Sequence, residues 1–377
     1  MIDTISLRLP LAEGDFKNDE HFNPLPLSQL FRAPTSHTTL RFNPGKTLAG
    51  NTVYTPTYYG EKFIIQGVVN YHLRIELSLP KFLYGNNVDE LTTEESTLNM
   101  IVDKLQSAIA NDLGIKYPKE DILSADVTKL HVGKNFMFDD PGAPIFMIET
   151  ISKTRADRIY DNNNTKYENL GSSFRLHSNT KDIIFYDKKR DIVKSMKSPK
   201  RAEDGITYRL SEPDSPISLF MSDKKASVLR LEIRLNNRKR IRQAFPELGD
   251  DLSFQNVFLE SKIMDCIAKE WHEATDEISM IQLGKEDPCL IFERIIADET
   301  SKYSLRDSLA VATAIHIIGL HGINYLREIV EKYFNRDEWY RLKKKIVTPN
   351  YQHFSCFKKV DDELQQYNPL RLGGNLQ

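Results

Sequence analysis

The chain of 377 residues is 40% apolar and 28% charged, with a formal charge of −2; it is long for one domain, comfortable for two, and able to bury a full core. No apolar run approaches the ~18 residues of a membrane-spanning helix, and the opening MIDTISLRLP lacks the basic-then-apolar order of a secretory signal. Cys266, Cys289 and Cys356 stand far apart with no CxxC pair, which argues against a thiolate zinc site and suits a reducing, cytoplasmic setting.

In chain order, Pro24, Pro26, Pro34, Pro44 and Pro56 punctuate the early region, so strands there should be short and joined by loops. YHLRIELSL alternates strictly: Tyr71, Leu73, Ile75, Leu77 and Leu79 share one face, and His72, Arg74, Glu76 and Ser78 the other. KFLYGNNVDEL leads into a helix expected from Thr92, where Thr92 and Glu95 have capping-box spacing. Leu98, Ile101, Leu105, Ala108 and Ile109 supply its apolar stripe. DVTKLHVGKNF reads as a strand with Lys129, His131, Gly133 and Asn135 on one face; IFMIETI, from Ile145 to Ile151, reads as another. SSFRLH and DIIFYD form a hairpin ending near Tyr186, and VLRLEIRL sets Arg230, Glu232 and Arg234 opposite an apolar row. Past Phe245 the patterns are helical. The expected fold is therefore α+β, an antiparallel sheet with helices on one face over residues 1–245, followed by a mainly helical domain over residues 246–377. Within the latter, Gly319 and Gly322 separate two helical patterns, faintly like a helix-turn-helix.

Two basic clusters interrupt the neutral balance. Lys188, Lys189, Arg190, Lys194, Lys197, Lys200 and Arg201 face only Asp191 as counter-charge, and Arg238, Lys239, Arg240 and Arg242 form the second. Such clusters suit a local polyanion, although solvated surface is the commoner outcome.

Three strands offer Glu76, His131 and Glu232 on their polar faces. Each alone is ordinary for a half-solvated sheet; together they would make an oxygen-rich seat for Mg²⁺ or Mn²⁺. Tyr186 ends an apolar run and meets Asp187, Lys188, Lys189 and Arg190 at once. A phenol of pKa near ~10 attacks poorly unless a cation favours the phenolate. Lys188, two residues on and on the same face if the strand continues, would be that cation.

The segments MIDTISLRLP, SLPKFLYGNNV, VTKLHVGKNF, IIFYDKKRDI and VLRLEIRL, in this order over about the first 240 residues, resemble the rolling-circle replication initiators of the filamentous-phage gene II type. The resemblance implies a tyrosine-nickase-like sheet. It puts the nucleophile on Tyr186, the supporting cation on Lys188, a metal ligand on Glu232 and a phosphate contact on Arg230; His131 stands where an aspartate is common. Glu76 rests on strand geometry alone. Lys129, Asn135 and Arg234 would position DNA on the same face. The activity implied is a metal-dependent nickase that links Tyr186 to a 5′ phosphate at an origin. It would work in the cytoplasm of a bacterial host on single-stranded and duplex origin DNA, together with a host helicase and polymerase, and away from membranes. A plasmid mobilisation relaxase, a non-catalytic origin-binding regulator and a hydrolytic metal nuclease are the alternatives. Tyr160 and Tyr167 are candidates for a second tyrosine acting in termination.

Overall fold

Alternating apolar and polar residues can satisfy both water and a core only as strands of a one-sided sheet, and that pattern builds the centre of this molecule. The structure, a computed structural model, describes residues 1–10, 42–46, 52–56, 62–66, 72–113, 116–154, 166–197, 215–275, 278, 286–297, 303–346, 355–366 and 368–372. Among these, β1 (Ile2–Pro10) is followed by β2 (Phe42–Lys46) and β3 (Thr52–Pro56), which pair only with each other, and then by β4 (Lys62–Gln66) and β5 (His72–Ser78). Later strands are β6 (Asp126–Phe138), β7 (Lys166–Glu168), β8 (Ser173–His177), β9 (Lys181–Asp187) and β10 (Ser227–Leu235). The main sheet has eight strands in the order β4-β5-β1-β6-β10-β9-β8-β7, and every neighbouring pair is antiparallel. The α+β class with an antiparallel sheet is thus what the chain adopts. Pro44 and Pro56 lie in the five-residue β2 and β3, whereas Pro24, Pro26 and Pro34 lie outside the described residues.

One face of the sheet is apolar. Ile5, Leu7, Ile75, Leu130, Val132, Phe136, Leu231, Ile233, Ile183 and Phe185 are buried in one continuous core. Helices α1 (Leu79–Tyr84), α2 (Glu95–Leu113), α3 (Ala143–Ile151), α4 (Lys188–Lys197) and α5 (Ile263–Thr275) come next. Further along the described residues lie α6 (Pro288–Ala297), α7 (Leu305–His321), α8 (Ile323–Tyr333), α9 (Arg336–Lys345) and α10 (Ser355–Gln366), and shorter helices cover Lys119–Leu123, Pro216–Ser222, Arg238–Ala244 and Phe254–Phe258. The stripe Leu98, Ile101, Leu105 and Ile109 of α2 joins the core as its spacing requires. Trp271 of α5 sits in its centre, 6.0 Å from the Phe136 ring, 6.3 Å from Phe185 and 5.9 Å from Phe357 of α10. The core therefore runs straight through the boundary expected near residue 245. A second, separate core belongs to α6–α9, where Ile291, Val311, Ile315, Ile318, Leu326 and Trp339 meet. It joins the rest at Gly322, which ends α7 with φ 89°. A side chain there would meet the carbonyl of Lys153 at 3.0 Å, so the position needs glycine twice over. Among the described residues no helix is long and apolar enough to cross a membrane.

Two local expectations are corrected. Ile145–Ile151, read as a strand, is the body of α3. A short apolar run carries no period of its own, and Pro144 in its first turn, whose missing N–H costs a helix nothing there, selects the helix. Helix α2 begins at Glu95 rather than Thr92. Thr92 Oγ1 lies 2.7 Å from Thr97 Oγ1 instead of capping the helix.

Candidate functional site

The opposite face of the sheet carries the polar side chains, with Ile184 and Val228 among them. Register sets Glu76 of β5 opposite Ser6 of β1, Thr4 opposite His131 of β6, and His131 opposite Arg234 of β10. Arg230 lies opposite both Asn135 of β6 and Tyr186 of β9, and Tyr186 opposite Ser173 of β8. A cavity of about 670 Å³ opens on this face, with Asp3, His131, Tyr186, Lys188, Glu232 and Arg234 among its lining residues. The lining also includes Glu76, Lys81, Glu168, Arg175, Asp187, Arg190, Asp191 and Lys194, so acids and bases are balanced there.

Glu232 is the hub. Its Oε2 accepts a hydrogen bond from the Tyr186 hydroxyl at 3.0 Å, a contact between diagonal cross-strand neighbours. Its Oε1 accepts from Arg234 Nε at 2.7 Å, two residues on along the same face. Arg230 Nε stands 3.7 Å from Oε2, and His131 Nδ1 3.5 Å from Oε1. Arg230 is itself fixed from behind: its guanidinium meets Asp3 at 3.0 Å, Asn135 Oδ1 at 3.0 Å and the Asn87 carbonyl at 3.2 Å. Gly133, directly opposite Glu232, leaves room for this layer; a side chain there would strike the Leu231 carbonyl at 2.7 Å and crowd the Arg230 guanidinium. His131 Nε2 and Arg230 Nε are buried without a hydrogen-bond partner among the described residues.

Burial and charge set the protonation states. Burial opposes the charge on Glu232, but Arg234, Arg230 and His131 together hold its carboxyl well below the usual range, so it is ionised. Burial pushes the Tyr186 phenol well above 10, and the Glu232 charge pushes it further. Tyr186 is therefore a neutral donor aimed at an ionised acceptor. Burial also lowers the Lys188 ammonium, against Asp191 3.5 Å away. It brings His131 down to about 4, which leaves the imidazole neutral at pH 7.

The expected site residues fare differently. Tyr186, Glu232, His131 and Arg234 come together as anticipated. Lys188 does not continue the strand; β9 stops at Asp187, and Lys188 begins α4, yet its Nζ still sits 5.5 Å from the Tyr186 ring centroid. Burial and the Glu232 charge raise the phenol's pKa with the ammonium this close, which leaves neutralising an attacked phosphate as the supporting role for Lys188. Glu76 and His131 do not meet. Strand β1 runs between β5 and β6, and Glu76 is held by Lys129 at 3.1 Å and Arg74 at 3.2 Å. Lys129, expected to position DNA, is spent on that pair. Asn135 is wholly buried, donating to the Val88 carbonyl at 2.8 Å while accepting from Arg230. Arg230, 3% exposed, is similarly enclosed. Both are placed to hold the site from beneath rather than to touch a ligand. Tyr160 lies outside the described residues, and Tyr167 is exposed on the edge strand β7.

Asp3 is the residue that sequence reading misses. Strict alternation would turn it toward the core with Ile5 and Leu7, but a register shift in β1 between Ile2 and Thr4 brings its carboxylate to Arg230. Thr4 Oγ1 and Ser78 Oγ also donate to it, at 3.2 and 3.3 Å. The available signal is an acid breaking an otherwise apolar start to a strand.

The divalent ion expected on Glu76, His131 and Glu232 does not suit these side chains as placed. Glu76 is two strands away, and both Glu232 oxygens are engaged by Arg234 and Tyr186. Among the described residues no cluster of three His, Cys, Asp or Glu is positioned to hold a metal. Comparison of the chain with protein-family models, curated proteins and solved structures gives no match.

Proposed function

We propose that this protein nicks one DNA strand at a replication origin through a 5′-phosphotyrosine formed on Tyr186, and so starts rolling-circle replication. The observation that carries the reading is the 3.0 Å hydrogen bond from the Tyr186 hydroxyl to an ionised Glu232 on the floor of a cavity lined by Lys188 and Arg234. A nucleophilic hydroxyl held by an acceptor that is itself fixed by other groups is oriented for attack. The resemblance to gene II type initiators and an antiparallel sheet with one polar face agree with it.

In this scheme the Tyr186 oxygen attacks the scissile phosphorus while its proton is lost to water, and Glu232, whose depressed pKa makes it a weak base, orients the hydroxyl through their hydrogen bond. The bond from phosphorus to the 3′ oxygen breaks, and that oxygen takes a proton from water to become a 3′-OH, the primer for a host polymerase. The phosphodiester energy stays in the Tyr186–phosphate bond for later rejoining. Lys188 and Arg234 offset charge growing on the phosphate oxygens. Asp3, Asn135 and Arg230 keep Glu232 in place and are positioning residues.

The test is to incubate the protein with end-labelled single strands from its own replicon, with Mg²⁺, with Mn²⁺ and with a chelator. A labelled adduct that survives SDS, and is lost in Tyr186→Phe, is expected. An adduct in Tyr186→Phe shows another nucleophile; cutting without an adduct, equal in both proteins, replaces the scheme by hydrolysis; duplex binding with no cutting leaves the regulator.

A further inference from the structure

The basic run that begins at Lys188 is only partly used by the site. Helix α4 is capped by Asp187, whose carboxylate accepts the Arg190 N–H at 3.0 Å. Its rotation is set by Ile192, wholly buried against Val88, Ile217, Phe220 and Val228. With that side facing in, Arg190, Val193, Lys194 and Lys197 fall at the i, i+3, i+4, i+7 spacing of one face and are all exposed. The acid of this helix, Asp191, lies off that face and turns to Lys188.

A second cavity, of about 370 Å³, follows this face and is lined by Lys189, Arg190, Val193, Lys194 and Lys197, with no carboxylate. Arg190 and Lys194 line both cavities, so the cationic face opens directly from the Tyr186 pocket. On the pocket's other side Lys194 reaches the Asn169 side chain in the turn between β7 and β8. Lys189 is anchored to the carbonyls of Asp223 and Ala226.

We propose that the outer face of α4 is a track for a single DNA strand leading out of the Tyr186 pocket, an inference that rests on the nickase reading above. Charge complementarity and continuity choose the occupant. A polyanion that places one phosphate beside Tyr186 must carry its next phosphates somewhere, and this face offers Lys194 and Lys197, with Arg190 paired to Asp187 at 3.4 Å, across about 10 Å of helix. Val193, between them, gives a sugar or base an aliphatic surface. The pocket is of nucleotide size, which favours one strand over a duplex.

The experiment measures fluorescence anisotropy of a labelled oligothymidylate of about 20 nucleotides across a salt series. It compares full-length Tyr186→Phe, which removes the proposed reaction, with Tyr186→Phe carrying Lys194→Gln and Lys197→Gln. Each lost phosphate contact on a single strand lowers the log–log salt slope by about 0.7, so the slope should fall by about 1.4, with roughly a ten-fold loss of affinity at low salt. Unchanged thermal midpoints confirm that the extra substitutions leave the fold intact. An unchanged slope overturns the track, as does no binding of the oligothymidylate by Tyr186→Phe. A slope change seen only with a duplex of equal length overturns the single-strand assignment. The adduct assay with wild-type protein is read separately: adduct without slope change removes the track alone, and slope change without adduct removes the nickase reading alone.

Discussion

Two buried ion clusters share strand β6, and they differ in one respect. Lys134 and Glu90 are both almost wholly buried and 2.9 Å apart. The ammonium also donates to the carbonyls of Asn135 and Asn368, at 3.2 and 3.0 Å. Glu90 accepts the N–H groups of Asn135 and Leu370, taking up the edge of β6 beyond the point where β1 begins to pair. Every Nζ donor of Lys134 has a protein acceptor, and neither cavity described above is lined by Lys134 or Glu90. The Glu232 cluster is buried to the same degree yet opens on the pocket, where the lining residue His131 leaves Nε2 without a hydrogen-bond partner among the described residues. Burial of charge is therefore no mark of function. Unspent bonding capacity facing a cavity is the better sign, because a saturated cluster has nothing left to offer a ligand.

Breaking the closed cluster should have the largest effect on stability. Lys134→Met strands the Glu90 charge, and urea unfolding should report a loss of about 3–5 kcal/mol, with adduct formation per folded molecule unchanged. Glu232→Gln should behave in the opposite sense. Arg230 keeps Asp3 and Arg234 can be hydrated from the cavity, so the stability loss should be only about 1–3 kcal/mol, whereas the adduct rate should fall by about ten-fold or more once the charged acceptor that orients Tyr186 and Arg234 is removed. Loss of fold in Glu232→Gln with full activity in the folded fraction contradicts the assignment of the hub.

A pH series sharpens the contrast. The folded-state pKa of His131, about 4, lies below its unfolded value near ~6.5, so the unfolded chain binds the proton more readily between these values. Stability from the neutral imidazole is complete above the upper value and declines as pH falls toward the lower one. Wild type should lose about 2 kcal/mol more than His131→Gln between pH 7 and pH 4.5, measured by denaturant midpoints; parallel curves for the two proteins show an exposed histidine. The smallest effect belongs to Glu76→Gln. Its partners Lys129 and Arg74 are partly solvated, so the cost should stay under about 1 kcal/mol and adduct formation should hold within about two-fold. A collapse of activity in Glu76→Gln restores the metal seat that β1 separates.

Much of the sheet is legible in the chain. The alternation in YHLRIELSL, DVTKLHVGKNF and VLRLEIRL gives the strands, their faces and the candidates Glu232, His131 and Arg234, since side-chain direction in a strand follows from the backbone alone. Less legible is IFMIETI, whose β-branched residues suit a strand until Pro144 and the packing of Met147, Ile148 and Ile151 decide for a helix. Asp3 could not be placed, because the register shift that turns it is a backbone event between strands distant in sequence. The burial of Asn135 and Arg230 depends on the loop at Asn87 and Val88 closing over them, more than forty residues away.

The local order of polar and apolar residues determined which side chains share a face of β5, β6 and β10, and so the common facing of Glu232 with Arg230 and Arg234; that Tyr186 meets Glu232 rests on the pairing of β9 with β10. Strand order, which interposes β1 between Glu76 and His131, and the depth of each charge, which makes Tyr186 a neutral donor and Arg230 a buried support, were decided only in the folded state. Both depend on contacts between residues far apart in the chain, and no periodicity within a segment carries that information.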